Sequence, residues 1–324
     1  MNLVRLFTQI LNVTLAPLEH YISQKIGELG INKYPPIFII GAPRSGTTLL
    51  YKVLTEKFNL AYISNAVDYF YAIPIISNWL LKKVSNLPYY NEYDFEYGSI
   101  PGLASPSEFA EFWYQWFPKG KNIYVEPLQT PLNYLKQLRQ SIGGISYIYK
   151  RPVIFKNVFN SMRIAPICEA MPNACFIVCK RDPKEIALSI LNARKQNMQN
   201  HHQWWSLPPK EIDTLLKLDF AGQIAGQIYY TYNQINLDTD IYGRDRFLEI
   251  EYENFCQNVP AIIEKIRYFF KMNQIIIDDK KDVPKNFVVR KSKDINNEEQ
   301  KRIFSAIDSY YMPNIKINEQ QRKI

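Results

Sequence analysis

Hydrophobic positions fall in short unbroken runs separated by stretches of helical periodicity, the rhythm of an α/β chain. Pro36-Ile37-Phe38-Ile39-Ile40 has no polar alternation and predicts a strand buried on both faces. The run stops at Gly41. From Gly46 the spacing of Leu49, Leu50, Val53 and Leu54 predicts a helix over about 46–57. A short strand is expected at Leu60–Ile63. Pro152–Lys156 and Ala174–Cys179 repeat the buried-strand pattern, with helices expected over about 165–171 and from about 184. Asp182 and Pro183 supply a cap and a first-turn proline for the second of these. A long helix over about 211–236, a last strand at Phe247–Ile250 and a helix over 259–270 follow, and from about 280 the chain reads as a polar, charged tail. Residues 1–33 read as a helical extension, amphipathic to Ile26, ahead of a single domain spanning 34–324. The predicted architecture is a central parallel sheet flanked by helices.

Residues 64–135 break this rhythm. They are dense in aromatics, including Tyr69-Phe70-Tyr71, Tyr89-Tyr90 and the run Phe112-Trp113-Tyr114-Gln115-Trp116-Phe117. Such an insertion serves either as core or as a lid over an acceptor, and both readings stay open at this point.

The chain has 324 residues, 47% of them hydrophobic, with a net charge of +8. Its pI near 9.0 favours anionic ligands: acidic small molecules, acidic glycans or a membrane surface. The basic residues are dispersed rather than run together, which argues against nucleic acid. Cys168, Cys175, Cys179 and Cys256 lack metal-ligand spacing, and three of them crowd into an apolar stretch, as buried thiols do. A reducing, cytoplasmic setting is expected. No run reaches the roughly 18 apolar residues of a membrane span, so any membrane contact is peripheral, through residues 1–26. Asn12-Val13-Thr14 spells a glycosylation sequon that has no export signal to accompany it.

The chemistry concentrates in two loops. Gly41-x4-Gly46 has the spacing of a phosphate loop, and strand–turn–helix geometry leaves unpaired N–H groups aimed at an anion. The position after Gly46 is Thr47 rather than Lys, and the cation is Arg44, inside the loop. The grip therefore differs from that of an ATPase. Arg181 follows a second strand, and Ser189 lies in the second turn of the next helix; a guanidinium and a hydroxyl suit a phosphate. Both loops open at one sheet edge, so a ligand with phosphates at both ends is expected.

Three stretches resemble the sulfotransferase superfamily, which uses 3′-phosphoadenosine-5′-phosphosulfate (PAPS). Gly-Ala-Pro-Arg-Ser-Gly-Thr-Thr at 41–48 resembles its 5′-phosphosulfate loop. Phe-Ile-Val-Cys-Lys-Arg-Asp-Pro-Lys-Glu-Ile-Ala-Leu-Ser at 176–189 resembles its 3′-phosphate motif, and Ile-Glu-Tyr-Glu-Asn-Phe at 250–255 its late strand motif. The Arg in the first loop is closer to the tyrosyl-protein and bacterial branches than to the cytosolic phenol enzymes, whose loop carries Lys. The resemblance implies a fold like that of the P-loop-containing nucleoside triphosphate hydrolases. It implies sulfuryl transfer from PAPS to a hydroxyl or amine, leaving adenosine 3′,5′-bisphosphate. It also implies nucleotide contacts at Arg44, Ser45, Gly46, Thr47, Thr48, Arg181, Ser189 and Tyr252, with Arg290 or Lys291 in a closing basic loop.

For the chemical step, Arg44 and the N–H groups of residues 45–48 suit charge growing on the bridging oxygen. Lys156, at a strand end, is a second cation. Candidate bases are Glu108, within a Ser105-Pro106-Ser107-Glu108 stretch that resembles an acidic motif of bacterial relatives, and Asp68; Glu111 lies one turn on from Glu108. His201 and His202 are outside candidates in a polar loop. The rival readings are a kinase-like P-loop phosphotransferase and a non-catalytic anion-binding module. The acceptor, whether small molecule, glycan, lipid or peptide, is not specified by aromatic lining alone.

Overall fold

The computed structural model describes residues 3–83, 87–94, 98–198, 203–292 and 296–321. Four strands form one parallel sheet: β1 (Ile37–Gly41), β2 (Ile154–Lys156), β3 (Cys175–Lys180) and β4 (Phe247–Glu251), in the order β2-β1-β3-β4. β1 pairs with β2 through Ile37↔Ile154 and with β3 through Ile37↔Cys175 to Gly41↔Cys179. β3 pairs with β4 from Phe176↔Phe247 to Lys180↔Glu251. Because the chain builds β2 on one side of β1 and then crosses to build β3 on the other, a crevice opens at the carboxyl ends of β1 and β3.

Helices cover both faces. Along the chain they are α1 (Leu3–Lys33), α2 (Thr47–Lys57), α3 (Asn65–Asp68), α4 (Pro74–Leu81), α5 (Ala110–Trp113), α6 (Leu132–Tyr149), α7 (Ile164–Ala170), α8 (Pro183–Asn197), α9 (Ile212–Leu215), α10 (Phe220–Tyr242), α11 (Tyr252–Gln257), α12 (Val259–Met272) and α13 (Asn297–Gln321). Alternate residues of β1 serve opposite cores. Phe38 and Ile40 pack with Trp113, Ile142 and Phe176, whereas Ile37 and Ile39 pack with Leu50, Ile177 and Phe270.

Several expectations are corrected. Leu60–Ile63 does not form a strand: Ala61 makes an isolated parallel bridge to Val153, and the neighbouring Pro152 has no N–H to extend it. The helix expected from 211 starts at Phe220, where Asp219 accepts from the Gly222 N–H at 2.8 Å. The polar tail contains α13, whose Ile303 and Ile307 are buried against α8 and α10. α6 went unpredicted. In the aromatic insertion, Phe109, Phe112, Trp113 and Phe117 are buried, and Phe112 and Trp113 meet the sheet at Phe155; this run is core, not lid. All four cysteines are free and buried.

Candidate active site

The crevice holds a cleft of about 170 Å³. β1 delivers its near wall. The chain turns sharply after Gly41, with Arg44 at φ 68° and Gly46 at φ 96°. Gly46 is required twice: its φ suits glycine, and a Cβ there would lie 2.3 Å from Cδ2 of Tyr252. The first-turn N–H groups of α2 have no acceptor inside the helix, and Gly46, Thr47, Thr48 and Leu49 line the cleft.

β3 and β4 deliver the second wall. Arg181 donates from Nη1 to the Arg44 carbonyl at 3.1 Å and from Nη2 to the Arg290 carbonyl. Its guanidinium lies 4.7 Å from the centre of the Tyr252 ring. Its buried Nε has no hydrogen-bond partner among the described residues, with only the Glu253 carboxylate 4.0 Å away. Arg44 Nε donates to Ser189 Oγ at 2.9 Å. The two loops therefore form one contiguous surface rather than two separated cradles. Arg44, expected beside the bridging oxygen, is tied by this bond to the second loop.

β2 delivers the third element. Lys156 is buried at the strand end and ion-paired to Glu108, whose side chain is 36% exposed. Asn157 Nδ2 donates to the Glu108 carbonyl at 3.2 Å. Thr48 Oγ1 and the Gly98 carbonyl are 3.5 Å apart, and Gly98 lies against Glu108 and Lys156. Among the described residues lining the cleft, four are cations (Arg44, Lys156, Arg181, Arg290) and one, Glu108, is a carboxylate. That excess of positive charge on the lining fits a polyanion, and carboxylates hold Arg181 there only loosely, Glu185 at 3.7 Å and Glu253 at 4.0 Å.

A model of the sulfotransferase family matches residues 35–274. The chain belongs to the sulfotransferase family. Among solved structures it is similar to sulfotransferase STF9 from Mycobacterium avium, at 12% identity over 86% of this chain and 69% of that one, with a TM-score of 0.47. It is also similar to a sulfotransferase from Alicyclobacillus acidocaldarius, at 15% identity over 85% and 92% of the two chains, with a TM-score of 0.42. No curated protein sequence matches it.

The remaining candidates in this sulfotransferase-family chain divide between the cleft lining and positions behind or outside it; Ser189, held by Arg44, is not part of the lining. Ser45 is buried beneath its loop, and its N–H closes the turn onto the Ala42 carbonyl at 3.3 Å; it does not line the cleft, contrary to expectation. Asp68 does not line it either. Its carboxylate accepts from Ser107 Oγ at 2.6 Å, and burial raises its pKa. Ser107 Oγ in turn accepts from the Phe109 N–H at 3.1 Å, so Asp68 braces the segment that presents Glu108. Glu111 forms an ion pair with Lys119 at 2.8 Å, with both side chains largely exposed. Tyr252 is buried and lines the cleft. Arg290 lines it too, pairs with Asp94 at 2.6 Å and donates its N–H to Tyr252 Oη at 3.4 Å. Lys291 is exposed and is not part of the lining. His201 and His202 lie outside the described residues.

Sequence reasoning missed Tyr93, Gly98, Phe159, Trp205 and Ser206, all of which line the cleft. For Trp205 a signal existed: the pair Trp204-Trp205 stands inside an otherwise polar loop. That loop is held by the buried Gln227, whose Nε2 donates to the carbonyls of Trp205 at 3.0 Å and Leu207 at 2.7 Å.

Proposed function

We propose that this chain transfers a sulfuryl group from PAPS to an acceptor hydroxyl, leaving adenosine 3′,5′-bisphosphate. The observation that supports this most is the joining of both loops through Arg44, Ser189 and Arg181, with the Lys156–Glu108 pair in the same cleft. On this reading Arg181, Ser189 and the Tyr252 ring receive the 3′-phosphate end. Arg44 and the first-turn N–H groups at Thr47 and Thr48 receive the 5′-phosphate. Lys156, with Thr48, meets the negative charge that grows on the bridging oxygen as the S–O bond to the 5′-phosphate breaks. Glu108 takes the acceptor proton while the new O–S bond forms. Lys156 would then exchange its Glu108 partner for the donor, which frees the carboxylate to act as base.

The test pairs binding with turnover. Adenosine 3′,5′-bisphosphate is expected to raise the melting temperature more than ATP with Mg²⁺, and Arg181→Ala is expected to abolish that rise. Labelled sulfate should move from PAPS to some member of a broad panel of alcohols, phenols and amines. Stronger stabilisation by ATP with Mg²⁺ would overturn the donor assignment. Nucleotide binding without transfer to any acceptor would leave a binding module instead.

A further inference from the structure

The buried positions of α1 are mostly polar or small: Thr8, Asn12, Glu19, Ser23, Gly27 and Gly30. The buried Ile31, with Ile22 and Ile26 partly buried beside it, supplies the apolar contact to the core. The positions it exposes include Phe7 (60%), Ile10 (52%), Val13 (76%) and Tyr21 (58%). The inner face explains itself. Gly27 and Gly30 allow α6 to approach to backbone contact, such that a Cβ on Gly143 would lie 2.0 Å from the Gly27 carbonyl oxygen. Asn12 donates to the Tyr69 carbonyl at 2.9 Å and accepts from the Ala72 N–H at 3.0 Å. Glu19 accepts from the N–H groups of Ile75 at 2.6 Å and Ile76 at 3.0 Å, at the start of α4. These bonds fasten α4 alongside α1 and leave Trp79 and Leu80 about half exposed next to it.

The outer face is what needs an explanation. Water-facing helices put their polar side chains outward, whereas α1 exposes Leu6, Phe7, Ile10, Val13, Leu18, Tyr21 and Leu29 among its polar positions. Small-residue packing inward with aliphatic and aromatic side chains outward is the habit of helices in contact with lipid. The charges point the same way. Both described carboxylates of α1 are withdrawn, Glu19 by burial and Glu28 by pairing with Arg139 at 2.8 Å. The cations stay out: Arg5 is exposed, Lys25 sits 5.3 Å from the Tyr21 ring centre, and Lys83 sits 4.0 Å from that of Trp79. No helix among the described residues is long and apolar enough to cross a membrane.

We propose that α1 and α4 form an interfacial face that lies on an anionic lipid surface, with Phe7, Ile10, Val13 and Trp79 entering the headgroup boundary and Arg5, Lys25 and Lys83 at phosphate level. The charge pattern sets this occupant apart from a second copy of the chain. A two-fold contact through this face would set one cationic surface against an identical one, whereas an anionic bilayer complements it.

The full chain is floated with vesicles of phosphatidylcholine alone and of phosphatidylcholine mixed with phosphatidylglycerol. It should rise with the anionic vesicles, more weakly at high salt, and stay behind with the neutral ones. Phe7→Glu/Ile10→Glu and, separately, Lys25→Glu/Lys83→Glu should each lower the bound fraction about tenfold, with thermal melting unchanged. All four positions point to solvent, and if one pair disturbs folding the other decides. Absence of flotation, equal flotation with both vesicle types, or full binding by a folded variant would overturn the proposal. So would light scattering that shows a dimer broken by Phe7→Glu.

Discussion

The Lys156–Glu108 pair allows stability and catalysis to be separated in one experiment. The Lys156 side chain is 3% exposed and that of Glu108 36%, so Glu108→Gln strands an ammonium with little access to water. Breaking a fully buried pair costs about 3–5 kcal/mol; the exposed side of Glu108 screens the interaction, which brings the expected loss to about 2 kcal/mol, or a melting point lower by about 5 °C. Lys156→Met should cost less, because the carboxylate left behind can turn to solvent. Glu108→Gln/Lys156→Met should recover most of the stability, giving a coupling of about 1–2 kcal/mol in a double-mutant cycle read by urea unfolding. Turnover should behave differently. Loss of the base should lower kcat by about a hundredfold or more, and the double variant should stay inactive despite its recovered stability. If Glu108→Gln keeps kcat within about threefold of the parent, Glu108 is not the base. If the cycle shows no coupling, the pair does not hold the site together.

Two further outcomes follow from single residues. Gly46→Ala should weaken adenosine 3′,5′-bisphosphate by at least about tenfold in calorimetry, because its Cβ would displace the Tyr252 ring that lies against Arg181; unchanged affinity would show that the ring is not part of the nucleotide seat. Burial raises the carboxyl of Glu19 from 4.5 to about 7 against the two backbone bonds that lower it. The native state thus keeps a proton that the unfolded chain releases, so the contribution of Glu19 to stability is fully present below about pH 4.5 and falls by up to about 3 kcal/mol as pH rises to 7; the difference in urea midpoint between the parent and Glu19→Gln should change across that range with this sign, and a difference independent of pH would refute it.

What was legible in the sequence was local. Ile37–Gly41 and Cys175–Lys180 are buried on both faces, so apolar runs found them, and the loops after them announce themselves through Gly41, Gly46, Asp182 and Pro183. α6 escaped because its buried positions include Gln140, Ser141, Gly143, Gly144 and Ser146. Its apolar stripe, Leu135, Leu138, Ile142 and Ile145, does recur at helical spacing, but the polar and small residues buried between them, where α6 packs by closeness of backbone, obscured it. α13 escaped because Ile303 and Ile307 are few among charged neighbours. The cleft was half legible. Arg44, Arg181 and Tyr252 are carried by strand ends, whereas Tyr93, Gly98 and Trp205 arrive on loops whose positions depend on distant contacts such as those of Gln227. Asp68 was misjudged for the same reason: its acidity is visible in the sequence, but its engagement with Ser107 is a tertiary fact.

The strand order itself arranges the proposed chemistry. Reading across the sheet as β2-β1-β3-β4, the carboxyl edge presents Lys156, then the Arg44 loop, then Arg181, then Tyr252. Parallel strands lie about 4.8 Å apart, so the ends of β2 and β3, flanking β1, are separated by roughly 10 Å. A nucleotide lying across that edge could meet Arg181 with one phosphate and the Arg44 loop with the other. Its transferable group would then be left over β2, beside Lys156 and Glu108. On the proposed function, the polarity of the reaction would thus be set by topology, with the chemistry on the edge strand and binding on the inner ones. β2 is also the shortest strand, ending at Lys156 opposite Ile39 of β1, two residues before Gly41. Its early end sets the ammonium back from the rim, into the buried position where a single carboxylate can hold it.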